Sequence, residues 1–161
     1  RELLRLGREL HRAISGKARL LVNDRAEVAL AIPGAGLHLP ANGLPVSAAR
    51  ELIGPERLLG QSVHDLAEAR AAQEAGADYV FFGPVFETSS KPGRAGQGLD
   101  RLHKLCLALS IPVCAIGGVR PERVPELKAA GAQAVAAISF ILDHPDPGRA
   151  ARELAAAWAE G

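Results

Sequence analysis

Six short apolar runs rich in strand-forming residues alternate with segments of helical periodicity along the chain. The runs cover residues 18–23, 36–39, 57–63, 78–83, 111–118 and 132–139. The helices predicted around them cover residues 2–14, 25–31, 47–53, 65–75, 99–109, 121–130 and 148–159. Strands that are apolar on both faces and joined by helices require parallel pairing, so the pattern predicts an α/β fold.

Two parallel architectures fit this alternation, the doubly wound open sheet and the (β/α)₈ barrel. No Gly-x-Gly-x-x-Gly follows an early strand, which weakens the dinucleotide-binding form of the open sheet. The stretches "GAGLHL", "GADYVFF" and "GAQAVAA" each place Gly-Ala before a buried strand, as repeated βα units would. We therefore expect a (β/α)₈ TIM barrel, with residues 1–161 forming a single, partial barrel domain.

Composition excludes several function classes. The 161 residues carry a net charge of +1 and are 48% hydrophobic, which suits one soluble globular domain and gives no nucleic-acid footprint. No apolar run reaches the roughly 18 residues of a membrane span, so we expect a cytoplasmic protein.

Cys106 and Cys114 lack metal-spaced partners and are expected to be reduced core residues. The absence of methionine, even at position 1, indicates a fragment, and a homo-oligomer stays open.

Ligands of parallel α/β folds bind at the carboxyl ends of the strands. The candidates at these ends are Asn23, Ser62, His64, Thr88, Gly117, Gly118, Ile138 and Ser139. Gly117, Gly118 and Ser139 follow the last two strands and predict a phosphate cradle of backbone amides. His64 is an acid-base candidate because the pKa of imidazole lies near neutrality. His38 either faces the barrel mouth or is an ordinary buried, hydrogen-bonded histidine.

The longest loop, "GPVFETSSKPGRAGQG" at residues 83–98, follows a buried apolar run. Its glycines predict a lid over the ligand site, with Lys91 supplying charge and Thr88 a hydroxyl. Glu87 is an acid-base candidate if burial raises its pKa.

Over residues 18–142 the chain resembles the thiamine-phosphate synthase and TenI family of barrels. The resemblance lies in three stretches, "LLVNDRAEVALAIPGAGLHLP", "GQSVHDLAEARAAQEAGADYVFFGPVFETSSKPG" and "IPVCAIGGVRPERVPELKAAGAQAVAAIS". The resemblance implies that the chain lacks the first βα unit and the second strand. The synthase joins a pyrimidine diphosphate to a thiazole phosphate, releasing pyrophosphate, with magnesium held by two aspartates. Asp24 matches the first aspartate, but Gly43 occupies the second position. Asp24 is also a candidate cap for the helix at 25–31.

The TenI branch of the family tautomerises a thiazole carboxylate phosphate without a metal. Three short stretches resemble this branch, namely "GQSVHDL", "VFETSSKPG" and "GQG". At the position of the branch's proton-transfer histidine, however, this chain has Pro84. We therefore expect a thiazole tautomerase that uses His64, Glu87 and Lys91, binds a thiazole phosphate and needs no cofactor. The alternatives are a magnesium-dependent synthase that uses Asp24, and a non-catalytic ligand-binding barrel. Neither a nucleic acid nor a membrane is expected as a partner.

Overall fold

Strands and helices alternate as the apolar pattern predicts. The computed structural model of the protein describes residues 1–14, 16–88, 93 and 95–160. The strands are β1 (Leu21–Asn23), β2 (Gly36–Leu39), β3 (Leu59–Val63), β4 (Tyr79–Phe82), β5 (Val113–Ile116) and β6 (Ala134–Ala136). The helices are α1 (Glu2–Ile14), α2 (Ala26–Leu30), α3 (Val46–Ile53), α4 (Leu66–Glu74), α5 (Leu99–Ala108), α6 (Val124–Ala129), α7 (Ser139–Leu142) and α8 (Pro147–Glu160), and a 3₁₀ turn, Pro121–Arg123, leads into α6.

The six strands form one parallel sheet in the order β1-β2-β3-β4-β5-β6. A strictly sequential order with right-handed crossovers places the connecting helices on one face of the sheet. A doubly wound sheet instead needs a point at which the strand order reverses, and the described strands contain none. The α/β class and the barrel-type winding are therefore confirmed. The described strands form an open half-barrel, however, and not the complete eight-stranded barrel.

The hydrophobic core lies between the sheet and the helices. Leu37, Leu39, Val80 and Phe82 alternate along their strands and belong to the same buried cluster as helix residues such as Leu102. Side chains of alternate strand residues point to opposite faces of a sheet. The intervening residues therefore form the inner face of the half-barrel, where His38, Tyr79 and Phe81 contact one another.

The helix-boundary residues act as their types predict. Asp65 is the N-cap of α4, and its carboxylate accepts a hydrogen bond of 2.8 Å from the Glu68 amide. Gly76 and Gly131 adopt positive φ angles just after α4 and α6. These local signals fix where each strand enters and leaves the sheet. None of the helices in the described ranges combines the length and apolarity needed to cross a bilayer.

Candidate active site

A cavity of about 230 Å³ opens at the carboxyl ends of β3, β4, β5 and β6. Several of its lining residues follow a strand directly, so the winding of the sheet brings together residues far apart in sequence. The lining residues are Ser62, Val63, His64, Phe81, Gly83, Pro84, Thr88, Ile116, Gly117, Gly118, Val119, Ala137, Ile138, Ser139 and Phe140. The wall thus combines hydroxyl groups and glycine backbone with apolar side chains, a combination that suits a ring carrying an anionic group.

Gly117 and Gly118 form a tight turn that passes close to the loop after β4. Their φ angles are +96° and +65°, in the left-handed region that favours glycine. A Cβ atom on Gly118 would lie 2.5 Å from the Glu87 carbonyl oxygen, so this position of the turn has no room for a side chain. The glycine pair therefore exposes backbone, and not side chains, to the cavity.

Arg123 braces this turn from outside. Its Nη1 donates a 2.8 Å hydrogen bond to the Gly118 carbonyl, and its guanidinium lies 4.3 Å from the centre of the Phe86 ring. The stacking and the hydrogen bond together hold a positive charge beside the glycine pair. Sequence reasoning missed Arg123, because its contact with Gly118 depends on the course of the turn.

Ser62 belongs to a hydrogen-bonded chain that leads from the inner face of the sheet to the cavity. Its Oγ lies 2.9 Å from His38 Nε2, and His38 Nδ1 lies 3.0 Å from Tyr79 Oη. His38 is 8% exposed, and burial lowers its pKa from the ordinary 6.5 to about 4. Of the two interpretations of His38, the structure thus supports the buried, hydrogen-bonded histidine.

His64 lines the cavity on the loop between β3 and α4. Its amide donates a hydrogen bond of 2.6 Å to Glu68 Oε2, and its Nδ1 lies 3.3 Å from the same oxygen. Glu68 is the residue whose amide is bonded by Asp65, so the capping interactions of α4 also fix the position of His64. Thr88 lines the same cavity from the loop after β4.

Glu87 and Lys91 are not part of the described cavity wall. Glu87 is exposed and borders an adjoining depression of about 690 Å³, which shares Thr88 and Ser139 with the cavity and also includes Arg123. The burial that would make Glu87 an acid-base group is therefore missing. Lys91 lies outside the described residues, as do residues 89, 90, 92 and 94 of the expected lid.

Asp24 stands at the other side of the half-barrel opening. It is exposed, its φ angle is +63°, and its amide donates a 2.8 Å hydrogen bond to the His38 carbonyl. The N-cap residue of α2 is Arg25, so the interpretation of Asp24 as a helix cap is wrong. Asn23, at the end of β1, is also exposed and does not line the cavity.

The residues around Asp24 do not fit a magnesium site with two carboxylates. Gly43 lies beside Asp24, but it offers no oxygen ligand from a side chain, and Mg²⁺ prefers carboxylate oxygens. Across the described ranges, no group of three or more histidine, cysteine, aspartate or glutamate side chains could hold a metal ion. We therefore assign no step of the chemistry to a metal.

The structure brings together most of the residues selected from the sequence. Those that line the cavity are Ser62, His64, Thr88, Gly117, Gly118, Ile138 and Ser139. Ile138 is 53% exposed at the cavity mouth, directly before the first residue of α7. Sequence reasoning missed Tyr79, although Gly60 gave a signal, since a glycine inside a strand often marks the close approach of another group.

The comparisons with known proteins agree with one another. The thiamine biosynthesis bifunctional protein ThiM/ThiE of Symbiobacterium thermophilum is 48% identical over 139 residues, which are 85% of this chain and 29% of that protein. The thiamine-phosphate synthase of Moorella thermoacetica is 42% identical over 157 residues, 96% of this chain and 74% of the relative. The solved structure of thiamine phosphate pyrophosphorylase from Pyrococcus furiosus superposes with a TM-score of 0.89 at 34% identity, covering 99% of this chain and 77% of that one.

These comparisons overturn the expected tautomerase. Relatives with 42% to 45% identity are named thiamine-phosphate synthase, and the similar solved structure is a pyrophosphorylase. The prediction of an isomerase is therefore wrong, and the alternative prediction, a transferase, is favoured. Glu87, one of the candidates for proton transfer, is exposed and lacks the buried setting that this role would require.

The match to a protein family covers most of the chain. A family model described as thiamine monophosphate synthase matches residues 1–141, which contain all six strands and the whole cavity wall. Sequence resemblance, sheet winding and the position of the cavity thus lead to the same group of proteins. The chain belongs to the thiamine monophosphate synthase family.

Proposed function

We propose that this chain carries the phosphate-binding part of a thiamine-phosphate synthase. In the proposed reaction, the nitrogen of a thiazole phosphate forms a bond to the methylene carbon of a pyrimidine diphosphate. The bond from that carbon to the diphosphate oxygen breaks, and pyrophosphate leaves with its electron pair. The observation that carries the proposal is the cavity at the carboxyl ends of β3 to β6, where hydroxyl groups and glycine backbone meet apolar side chains.

The two polar parts of the cavity suit the two anionic groups of this reaction. Gly117, Gly118 and Ser139 would bind the thiazole phosphate, because backbone amides can approach an oxyanion closely there. Ser62 and Thr88 would donate hydrogen bonds to pyrophosphate oxygens, whose charge grows as the bond breaks. Hydrogen bonds to a charged oxygen are about twice as strong as those between neutral groups.

The apolar part of the wall would hold the aromatic rings. Val63, Phe81, Val119 and Phe140 line the same cavity as the hydroxyl groups. Apolar contact excludes water and orients the reacting atoms, which lowers the entropic part of the barrier. Arg123, braced beside Gly118, adds a positive charge near the proposed phosphate position.

A direct test is to incubate the full chain with the thiazole phosphate and the pyrimidine diphosphate, and to follow phosphorus signals by NMR. Thiamine phosphate and pyrophosphate should appear together in equal amounts. The Ser62→Ala variant should lower kcat/KM by about 100-fold, as expected for a lost donor to a developing anion. Ser110→Ala is the matched control, because that hydroxyl bonds Gln73 away from the cavity. Normal turnover by Ser62→Ala would contradict the proposed role of Ser62.

A non-catalytic ligand-binding protein is the second candidate, favoured by Gly43 beside Asp24. This chain spans only 29% of one relative and 39% of another, so activity of a whole synthase is itself part of the proposal. Titration calorimetry with the thiazole phosphate, combined with the product assay described above, separates the two candidates. Binding without any product, with or without Mg²⁺, would support the non-catalytic protein.

A further inference from the structure

Tyr79 reaches His38 across a glycine. In the sheet, His38 pairs with Gly60 and Gly60 pairs with Tyr79, so Gly60 stands between the two side chains on β3. A Cβ atom on Gly60 would lie 2.0 Å from the Tyr79 ring carbon Cζ. The ring of Tyr79 therefore occupies the space above Gly60, which brings Oη to within 3.0 Å of His38 Nδ1.

The surroundings determine which ring nitrogen of His38 carries the hydrogen. Tyr79 is half-buried on the inner face of the sheet, and desolvation raises the pKa of its hydroxyl, so the phenol keeps its proton. The phenol O–H is a hydrogen-bond donor beside the buried His38 ring, and within the described residues Nδ1 is the hydrogen-bond partner of Tyr79 Oη. If Nδ1 carried the hydrogen, the Tyr79 proton would have no acceptor there. This arrangement favours the Nε2–H tautomer of His38.

The same reasoning fixes the direction of the next hydrogen bond. With Tyr79 O–H donating to Nδ1, His38 Nε2–H donates to Ser62 Oγ across 2.9 Å. The Ser62 oxygen then acts as acceptor toward His38, and its own hydrogen is free to point elsewhere. Since Ser62 lines the cavity, that hydrogen is available to an acceptor bound there.

We propose that Tyr79 and His38 are positioning residues that turn the Ser62 hydroxyl into a hydrogen-bond donor toward an anionic phosphate oxygen in the cavity. This inference rests on the proposed function, in which Ser62 contacts pyrophosphate. The low pKa of His38, about 4, agrees with a neutral imidazole throughout the neutral range. Hydrogen bonds in such a chain polarise one another, so each strengthens the next.

The tautomer of His38 can be measured in the wild-type protein in the absence of a ligand. Nitrogen-15 NMR of the labelled protein distinguishes a protonated from an unprotonated ring nitrogen, and the His38 signals are assigned by their loss in His38→Gln. We expect the Nε2–H form in the wild-type protein. In Tyr79→Phe, which keeps the ring above Gly60 and removes only the hydroxyl, a mixture of tautomers should appear. An Nδ1–H tautomer in the wild-type protein would overturn the inference.

A double-mutant cycle tests whether Tyr79 acts through Ser62. The probe is inorganic pyrophosphate, and the measurement is its dissociation constant by calorimetry. Tyr79→Phe should weaken binding by about tenfold, as expected for a weakened hydrogen bond to a charged group. In a Ser62→Ala background the same change should have no further effect, whereas a merely structural role would give the same loss in both backgrounds.

Failure of the inference and failure of the proposed function give different results. If the wild-type protein does not bind pyrophosphate, the proposed function and the proposed ligand are both overturned, while the tautomer still reports the hydrogen-bond direction. If pyrophosphate binds but Tyr79→Phe binds it equally well, the positioning role is overturned and the proposed function stands. Ser110→Ala serves again as the control for loss of a hydroxyl.

Discussion

Gly43 lies directly beside Asp24, such that a Cβ atom built on Gly43 would stand 3.2 Å from Asp24 Oδ1. The position is thus suited to a second carboxylate, but the chain has no side chain there. We predict that Gly43→Asp creates a binding site for Mg²⁺, because two adjacent carboxylates supply the oxygen ligands this ion prefers. Affinity measured with Mn²⁺ as a paramagnetic substitute should rise by about tenfold or more, equivalent to ~1.4 kcal/mol.

The matched control for this prediction is Gly43→Asn, which has nearly the same shape and no charge. Both variants must displace Pro40 slightly, since the added Cβ atom would lie 2.9 Å from Pro40 Cδ. Equal metal affinity in the two variants would contradict the prediction.

The stability of the protein should depend on pH through His38. Burial lowers its folded-state pKa to about 4, while the unfolded chain keeps the ordinary value of 6.5. Between these values the unfolded state binds the extra proton, so stability rises with pH across the window and is lost as pH falls from 6.5 toward 4. Its hydrogen-bond partners, Ser62 and Tyr79, are uncharged at these pH values and do not compensate.

The expected loss from His38 protonation is about 3 kcal/mol at most. Urea unfolding of the wild-type protein and of His38→Gln at pH 4.5 and pH 7 measures it, because the difference between the two proteins removes the contribution of other groups. The variant should lose clearly less stability on acidification. Parallel pH profiles would show that His38 is not the responsible group.

Gly118→Ala should be more destabilising than an ordinary substitution at a glycine of positive φ. The left-handed backbone alone costs an alanine roughly 1–2 kcal/mol. At Gly118 the new Cβ atom would also collide with the Glu87 carbonyl, at 2.5 Å. Gly34→Ala is the matched control, because Gly34 has φ +69° and no atom within 4 Å of the added Cβ. Chemical denaturation should show the larger loss for Gly118→Ala, and equal losses would mean that the turn relaxes.

Arg123→Lys should weaken phosphate binding although it keeps the charge. Lysine cannot reproduce the planar stacking on Phe86 together with the hydrogen bond to Gly118. Stacking of this kind is worth about 0.5–1 kcal/mol, and if all of it serves to hold the charge in place for the ligand, the affinity for inorganic phosphate should fall by at most roughly two- to fivefold. Arg123→Gln, which removes the charge as well, should lose more. If lysine is as good as arginine in calorimetry, charge alone accounts for the role of Arg123.

The sequence predicted the strands well because each strand is defined by local properties. Val80 and Phe82 are buried on a strand made only of apolar and aromatic residues, and glycines such as Gly76 mark the preceding helix end. The positions after each strand could be chosen as site candidates because a parallel sheet collects them at one edge. Ser62 and Ser139 lie in one cavity for this reason.

Contacts that depend on register were not predictable in the same way. Tyr79 meets His38 only because both pair with Gly60, and the two residues are 41 positions apart in the sequence. The exposure of Glu87 depends on the course of its loop, which no periodicity describes. The short helix α7 was missed because four residues are too few to show a helical repeat.

The sequential strand order also bears on how the sheet can assemble. Register partners lie between 15 residues apart, as for Leu21 and Gly36, and 33 apart, as for Val80 and Val113. Each new strand therefore closes a loop of moderate length onto a neighbour made just before it, which limits the entropic cost of every addition. Low separation between contacting segments favours fast folding, and it allows the sheet to grow during synthesis in the order of translation. The wall of the cavity then becomes complete only when β6 has joined the sheet.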